Sequence, residues 1–179
     1  MIDVSLKNLK VLESRCEETI CFEATLYVDG KRFCQVSNDG NGGPHSYKPL
    51  PSSPIRSKVK TDDKLQELDN RLNMYGVKLN ILGEEKVCSL NLDILVEQEV
   101  SKMLRDKEIK KITKKIAYID ENNDIFTVKS KHKPTLENLE AIKKTKEWKP
   151  GNHLLNEMNM EDIRKLPPFQ IEELQIVEL

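Results

Sequence analysis

The sequence predicts an α+β protein: an antiparallel sheet built from two β-hairpins plus an N-terminal strand, packed against three to four helices. Three observations predict it. Apolar residues alternate at Ile20, Phe22, Ala24, Leu26 and Val28 and run into Asp29-Gly30, the pattern of a half-buried strand ending in a tight turn. Ile116 to Ile119 and Ile125 to Val128 flank a polar turn and read as a second hairpin. Leu65, Leu68 and Leu72, and then Leu92, Val96, Val100, Met103 and Leu104, recur at helical spacing. Strands cluster in hairpins and helices come in blocks, which favours α+β over a parallel α/β sheet.

Taken in order, Ile2 to Leu12 is a first strand with weak alternation. The second, Ile20 to Val28, carries Cys21, Glu23, Thr25 and Tyr27 on its opposite face. Asp29-Gly30 makes a two-residue type I′ turn, because both positions need positive φ and these residues tolerate it. Lys31 to Ser37 returns antiparallel, in a register that sets Val28 against Lys31, Leu26 against Phe33, Thr25 against Cys34 and Cys21 against Asn38. At about 3.3 Å per residue Cys21 and Cys34 are then roughly 13 Å apart, too far to share a zinc ion or a disulfide.

Lys48 to Lys60 holds Pro49, Pro51 and Pro54 and reads as an extended connector, since proline lacks a donor and disfavours helix. Thr61-Asp62 offers an N-cap for a helix over 62–75, and Gly76 a stop. Residues 77–92 show no decisive period. A helix from about Asp93 sets Glu97, Glu99 and Lys102 opposite its apolar face, and either runs to Lys115 or breaks near Asp106. Pro134-Thr135 opens a further helix with Leu136, Leu139 and Ile142 inward, stopped by Pro150-Gly151. A short strand, His153 to Leu155, and a short helix, Met160 to Leu166, follow. The chain thus divides into one α+β domain over residues 1–166, containing the connector at 48–60, and an acidic tail at 167–179. Ile171, Leu174, Ile176 and Val177 are available to dock that tail.

With 179 residues, 37% hydrophobic and 33% charged, the chain can bury a core without metal or disulfide support. Aromatics are only 5%, so no base-stacking surface is advertised. The net charge of -1 hides a segregation. Residues 1–100 hold 13 Lys and Arg against 16 Asp and Glu, residues 101–150 hold 14 against 8, and residues 151–179 hold 2 against 6. A basic middle and an acidic end suit electrostatic recognition. Cys16, Cys21, Cys34 and Cys88 form no Cys-x-x-Cys pair, and no signal peptide or membrane-length apolar run is visible, so reduced thiols in a cytoplasm are expected.

The chemistry concentrates in Ser37-Asn38-Asp39-Gly40-Asn41-Gly42-Gly43-Pro44-His45-Ser46-Tyr47, which holds three of the seven glycines and one of the three histidines. Successive amides of such a loop can form an anion-binding nest, and its glycines let another chain approach the backbone. Asn38, Asp39, Gly40, Gly42, Gly43, His45 and Tyr47 are therefore the candidate ligand- or partner-binding residues. The competing reading is structural: Asn38 and Asp39 hydrogen-bond their own backbone, as turn-formers do. The loop is not a P-loop, because Pro44-His45 stands where a Lys-Ser/Thr pair must follow, and it lacks the dinucleotide spacing.

A basic stretch with Lys102, Arg105, Lys107, Lys110, Lys111, Lys114 and Lys115, extended by Lys129, Lys131, His132 and Lys133, is a second candidate contact face. Asp106 and Glu108 interrupt it and few aromatics interleave, so a solvated face or one meeting an acidic partner is favoured over nucleic acid. Asp120-x-Asn122-x-Asp124 imitates a calcium loop, but Ile125 and Lys131 replace its obligatory glycine and glutamate, which makes it a polar turn. His45, His132 and His153 are isolated, and no serine-elbow or zincin motif is present, so neither a metal, a cofactor nor a catalytic set is expected.

Cys21 to Tyr47, with its strand, Asp29-Gly30 turn, strand and Ser37-Asn38-Asp39-Gly40-x-Gly42-Gly43, resembles a group of small uncharacterised proteins of bacteria and their phages. The likeness extends to a helix such as Leu92 to Leu104, a basic stretch before a hairpin such as Lys114 to Val128, and a late Leu155-Asn156 pair. The resemblance implies no activity. It raises the expectation of a small phage or mobile-element inhibitor of a host defence protein. The function expected is thus a cytoplasmic, non-catalytic interaction protein with a host protein as partner and no membrane. The alternatives are a small-ligand protein holding a nucleotide or other anion at the glycine loop, and nucleic-acid binding through residues 102–115.

Overall fold

A computed structural model describes residues 2–50, 57–81, 84–128, 133–146 and 148–179, and of residues 57–60 and 81 only the backbone. Among the described residues four α-helices accompany ten strands, all paired antiparallel, so the fold is α+β with antiparallel sheets. The strands form three small sheets rather than one. Contacts divide the chain into two compact units, residues 1–101 with 173–179, and residues 102–172.

In the first unit β1 (Val4–Val11), β2 (Phe22–Val28), β3 (Lys31–Asn38) and β4 (Ser46–Lys48) lie side by side in that order. Phe22, Ala24, Leu26 and Val28 are buried and Glu23 is exposed, as the alternation dictates. Asp29 and Gly30 have φ of 49° and 72°, the positive values the tight turn requires. The register departs from expectation one step beyond the turn. Val28 faces Lys31 and Tyr27 faces Arg32, but Leu26 faces Cys34, Thr25 faces Gln35, and Phe22 rather than Cys21 faces Asn38. Phe33 is the extra residue of a bulge, and one inserted residue carries no periodicity of its own to read. Cys21 and Cys34 are buried free thiols.

The same unit holds α1 (Ser57–Leu72), the hairpin of β5 (Tyr75–Ile81) and β6 (Glu84–Ser89), and β10 (Gln175–Glu178) on the other side of β5. Helix α1 begins at Ser57, so Thr61 and Asp62 lie inside it and are not its cap. Residues 51–56 of the predicted connector lie outside the described residues. Gly76 does not stop a helix. It sits in β5, where an added Cβ would stand 2.6 Å from Val87 Cγ1 and 2.8 Å from Leu179 Cδ2. The β5–β6 hairpin escaped sequence reading because β6 is almost wholly exposed, which leaves no alternation to detect. The end of the predicted tail is a strand of this sheet.

Helix α2 (Leu92–Ile112) starts in the first unit and continues without a break into the second. Asn91 caps it, its Oδ1 accepting from Ile94 N at 3.0 Å. No break occurs at Asp106, whose carboxylate accepts from Arg105 and Arg164. In the second unit β7 (Ala117–Ile119) lies between β8 (Ile125–Thr127) and β9 (His153–Leu154). Ile109, Ala117, Ile119, Leu155, Ile163 and Phe169 form one buried cluster there, and Ile116, Leu139 and Leu154 another. Helix α3 (Leu136–Lys143) buries Leu139, but Leu136 is 80% exposed, and the helix ends well before Pro150. Helix α4 (Met160–Lys165) is capped by Asn159.

Asn156 of the Leu155-Asn156 pair ties the end of α2 to β7. Its Oδ1 accepts from Ala117 N, and its Nδ2 donates to the Thr113 and Lys115 carbonyls, each at 2.8 Å. The Asp120 turn is the polar turn its sequence suggests, Asp120 Oδ1 accepting from the amides of Asn122 and Asp124. Among the described residues no helix is long and apolar enough to cross a membrane.

Candidate binding site

The glycine loop joins β3 to β4, and its conformation is dictated by one buried side chain, Asn38. Asn38 Oδ1 accepts from Gly40 N and from the Thr19 hydroxyl, each at 2.8 Å. A backbone amide can only donate, so the other end of the side chain is the NH2 group. It donates to Gly43 O at 3.3 Å and lies 3.1 Å from His45 Nδ1. Nδ1 is therefore the acceptor, and His45 carries its proton on Nε2. That nitrogen is out of contact with solvent and has no hydrogen-bond partner among the described residues. The ring stands edge-on to Phe22, centroids 5.2 Å apart.

The loop is clamped a second time. Gly40 O accepts from the amides of Glu17, Glu18 and Thr19 at 2.9–3.1 Å. A nest of consecutive amides is thus present, but it faces inward and the chain's own carbonyl fills it. The loop's own amides are also engaged: Gly40 N with Asn38 Oδ1, Asn41 N with Asp39 Oδ1, and Gly42 N with Thr19 Oγ1. The structural reading of Asn38 and Asp39 thereby holds for both residues.

Helix α2 supplies the third wall. His45 N donates to Asp93 Oδ2 at 3.1 Å and the Tyr47 hydroxyl donates to Asp93 Oδ1 at 2.6 Å. Burial, and then the bond to Asp93, push the Tyr47 phenol well above its ordinary range. Nearby, Asp69 accepts from the backbone amide of Leu92, yet burial holds its carboxyl above the usual carboxylate value.

Between these elements lies a cavity of about 360 Å³. Asn38, Gly43 and His45 line it, joined by Thr19, Phe22 and Pro44. Asp93, Glu97 and Val100 close the α2 side. Of the candidate residues, Asp39, Gly40, Gly42 and Tyr47 are not in the lining: Asp39 turns back on its own loop, Gly40 is packed inside, and Tyr47 braces Asp93. Asp93, Glu97 and Val100 were missed. Their spacing of four and three places them along one side of the helix, but sequence had no means of bringing that side to a loop some fifty residues earlier.

The basic stretch is not one face. At about 3.6 residues per turn, Lys102 and Arg105 lie towards the side of buried Ile109 and are half-buried, whereas Lys107, Lys110 and Lys111 lie opposite and are exposed, as are Lys114 and Lys115 beyond the helix end. Arg105 is bonded to Asp106. Burial raises the Asp106 carboxyl, but hydrogen bonds from Arg164 and Arg105 outweigh it and leave the group below its ordinary value. Lys129, Lys131 and His132 lie outside the described residues. Among the described residues no group of His, Cys, Asp and Glu is arranged to hold a metal ion.

No family model matches the chain, and no curated protein or solved structure is detectably similar to it.

Proposed function

We propose that this is a non-catalytic binding protein and that the cleft between the β3–β4 loop and α2 is its recognition site. The observation that carries the reading is the pre-organisation of that cleft. Asn38 and Asp93 spend their hydrogen bonds on fixing its walls, which lowers the ordering cost of binding. The cavity of about 360 Å³ is at the small end of ligand sites, suited to one side chain projecting from a partner protein. The narrower reading, an inhibitor of a host defence protein carried by a phage or mobile element, is supported by the resemblance of residues 21–47 and by the segregated charge. The small-ligand alternative keeps the same cavity. The geometry disfavours an anion there, because the amide nest is filled and the cleft wall carries Asp93 and Glu97.

Native mass spectrometry of the protein taken from its cell of origin tests this. The expected result is a co-purifying protein in fixed stoichiometry, lost from a Glu97→Trp variant that fills the cleft from an exposed helix position. A small extra mass that vanishes on denaturation selects the small-ligand reading instead. A complex that survives Glu97→Trp unchanged overturns the assignment of the cleft.

A further inference from the structure

Resting on the cleft as a recognition site, we infer that its occupant is the basic side chain, lysine or arginine, of a partner protein. Three observations converge. First, among the described residues the charges that line the cavity are the carboxylates of Asp93 and Glu97, with no lysine or arginine. Second, Glu18 adds a third acid: its Oε2 lies where a Cβ on Gly42 would fall, at 2.5 Å, so the loop edge next to the cleft is acidic as well. Third, Ile20, Phe22, Pro44 and Val100 give the lining an apolar part beside the polar Thr19, Asn38 and His45, which suits the aliphatic stem that lysine and arginine lay along nonpolar surface while the head finds an acceptor.

The two acids are not equivalent. Asp93 already accepts two hydrogen bonds from the protein, which fix its position and leave it only part of its acceptor capacity. Glu97, one helical turn on, is exposed and lines the same cavity, so it is the carboxylate able to close on an incoming ammonium or guanidinium. Asp93 sets the field and Glu97 makes the adjustable contact.

Proton–nitrogen NMR titration of the full chain with four small probes decides the matter: Nα-acetyl-arginine amide, Nα-acetyl-lysine amide, Nα-acetyl-leucine amide and inorganic phosphate. The arginine and lysine probes are expected to shift the Gly43 amide and the His45 ring signals, with phosphate silent and the leucine probe at least about threefold weaker. In Glu97→Gln the arginine probe is expected to weaken by about three- to fivefold, with the leucine probe unchanged. Equal shifts from the leucine and arginine probes overturn the cationic occupant and leave the cleft a recognition site. Shifts from phosphate overturn it in favour of an anion. Silence from all four probes overturns both readings.

Discussion

Replacing Gly40 with alanine, and separately Gly43 with alanine, isolates the contact on which the site is built. The two glycines have nearly the same backbone, φ of 92° and 87°. Alanine in that left-handed region costs roughly 1–2 kcal/mol at either position. The surroundings differ. A Cβ at Gly43 meets nothing within 4 Å, whereas one at Gly40 overlaps the Arg15 carbonyl oxygen and stands 2.9 Å from Cys21 Cβ. The obstacle is backbone, which cannot rotate away, so overpacking adds about 1–3 kcal/mol. Relief by moving the loop also stretches three hydrogen bonds, from the amides of Glu17, Glu18 and Thr19 to Gly40 O. Gly40→Ala is therefore expected to lose about 2–5 kcal/mol and Gly43→Ala about 1–2 kcal/mol. Urea unfolding followed by far-ultraviolet circular dichroism reads the difference. With a slope of about 2 kcal/mol per molar, the midpoints should separate by roughly 0.5–1.5 M. Coincident midpoints would show that the loop does not rest on the Arg15 carbonyl, and the whole construction of the cleft from Asn38 outward would fall with that contact.

Two further outcomes are expected. Asp106 titrates below its ordinary value in the folded chain, so its contribution is present above the unfolded value of about 3.9 and is lost as pH falls through the folded one. Asp106→Asn should thus cost about 1–2 kcal/mol in urea unfolding at pH 7 and progressively less as the pH is lowered below about 3.9; a cost that does not fall with pH refutes the charge-based account. Burial pushes the Cys34 thiol up to about 12, whereas Cys16 is exposed. At pH 8, iodoacetamide should therefore modify Cys16 first, with Cys34 labelled only as the chain unfolds, as peptide mass mapping would show. Rapid labelling of Cys34 in the native protein would contradict its burial.

Local pattern determined the elements whose faces differ in polarity. The alternation from Ile20 to Val28, the Asp29-Gly30 turn, the α2 face and the hairpin around Asp120 were all legible, because one buried side imposes a period on the sequence. Where burial imposes none, the sequence was silent. Exposed β6 shows no alternation, β10 reads as an acidic tail, and the bulge at Phe33 shifts every later pairing without a signal of its own. The loop could be singled out by its glycines and by Asn38 and His45, but not its role for each residue. Gly40 turns inward because the Arg15 segment passes beside it, and Asp39 spends its side chain on Asn41. Tertiary structure alone brought Asp93 and Glu97 to Asn38 and His45. Amide donors in a glycine loop suggest an anion only while they are free. Here the chain's own oxygens occupy them, and the charge that remains on the cleft wall belongs to two carboxylates from a helix far along the sequence.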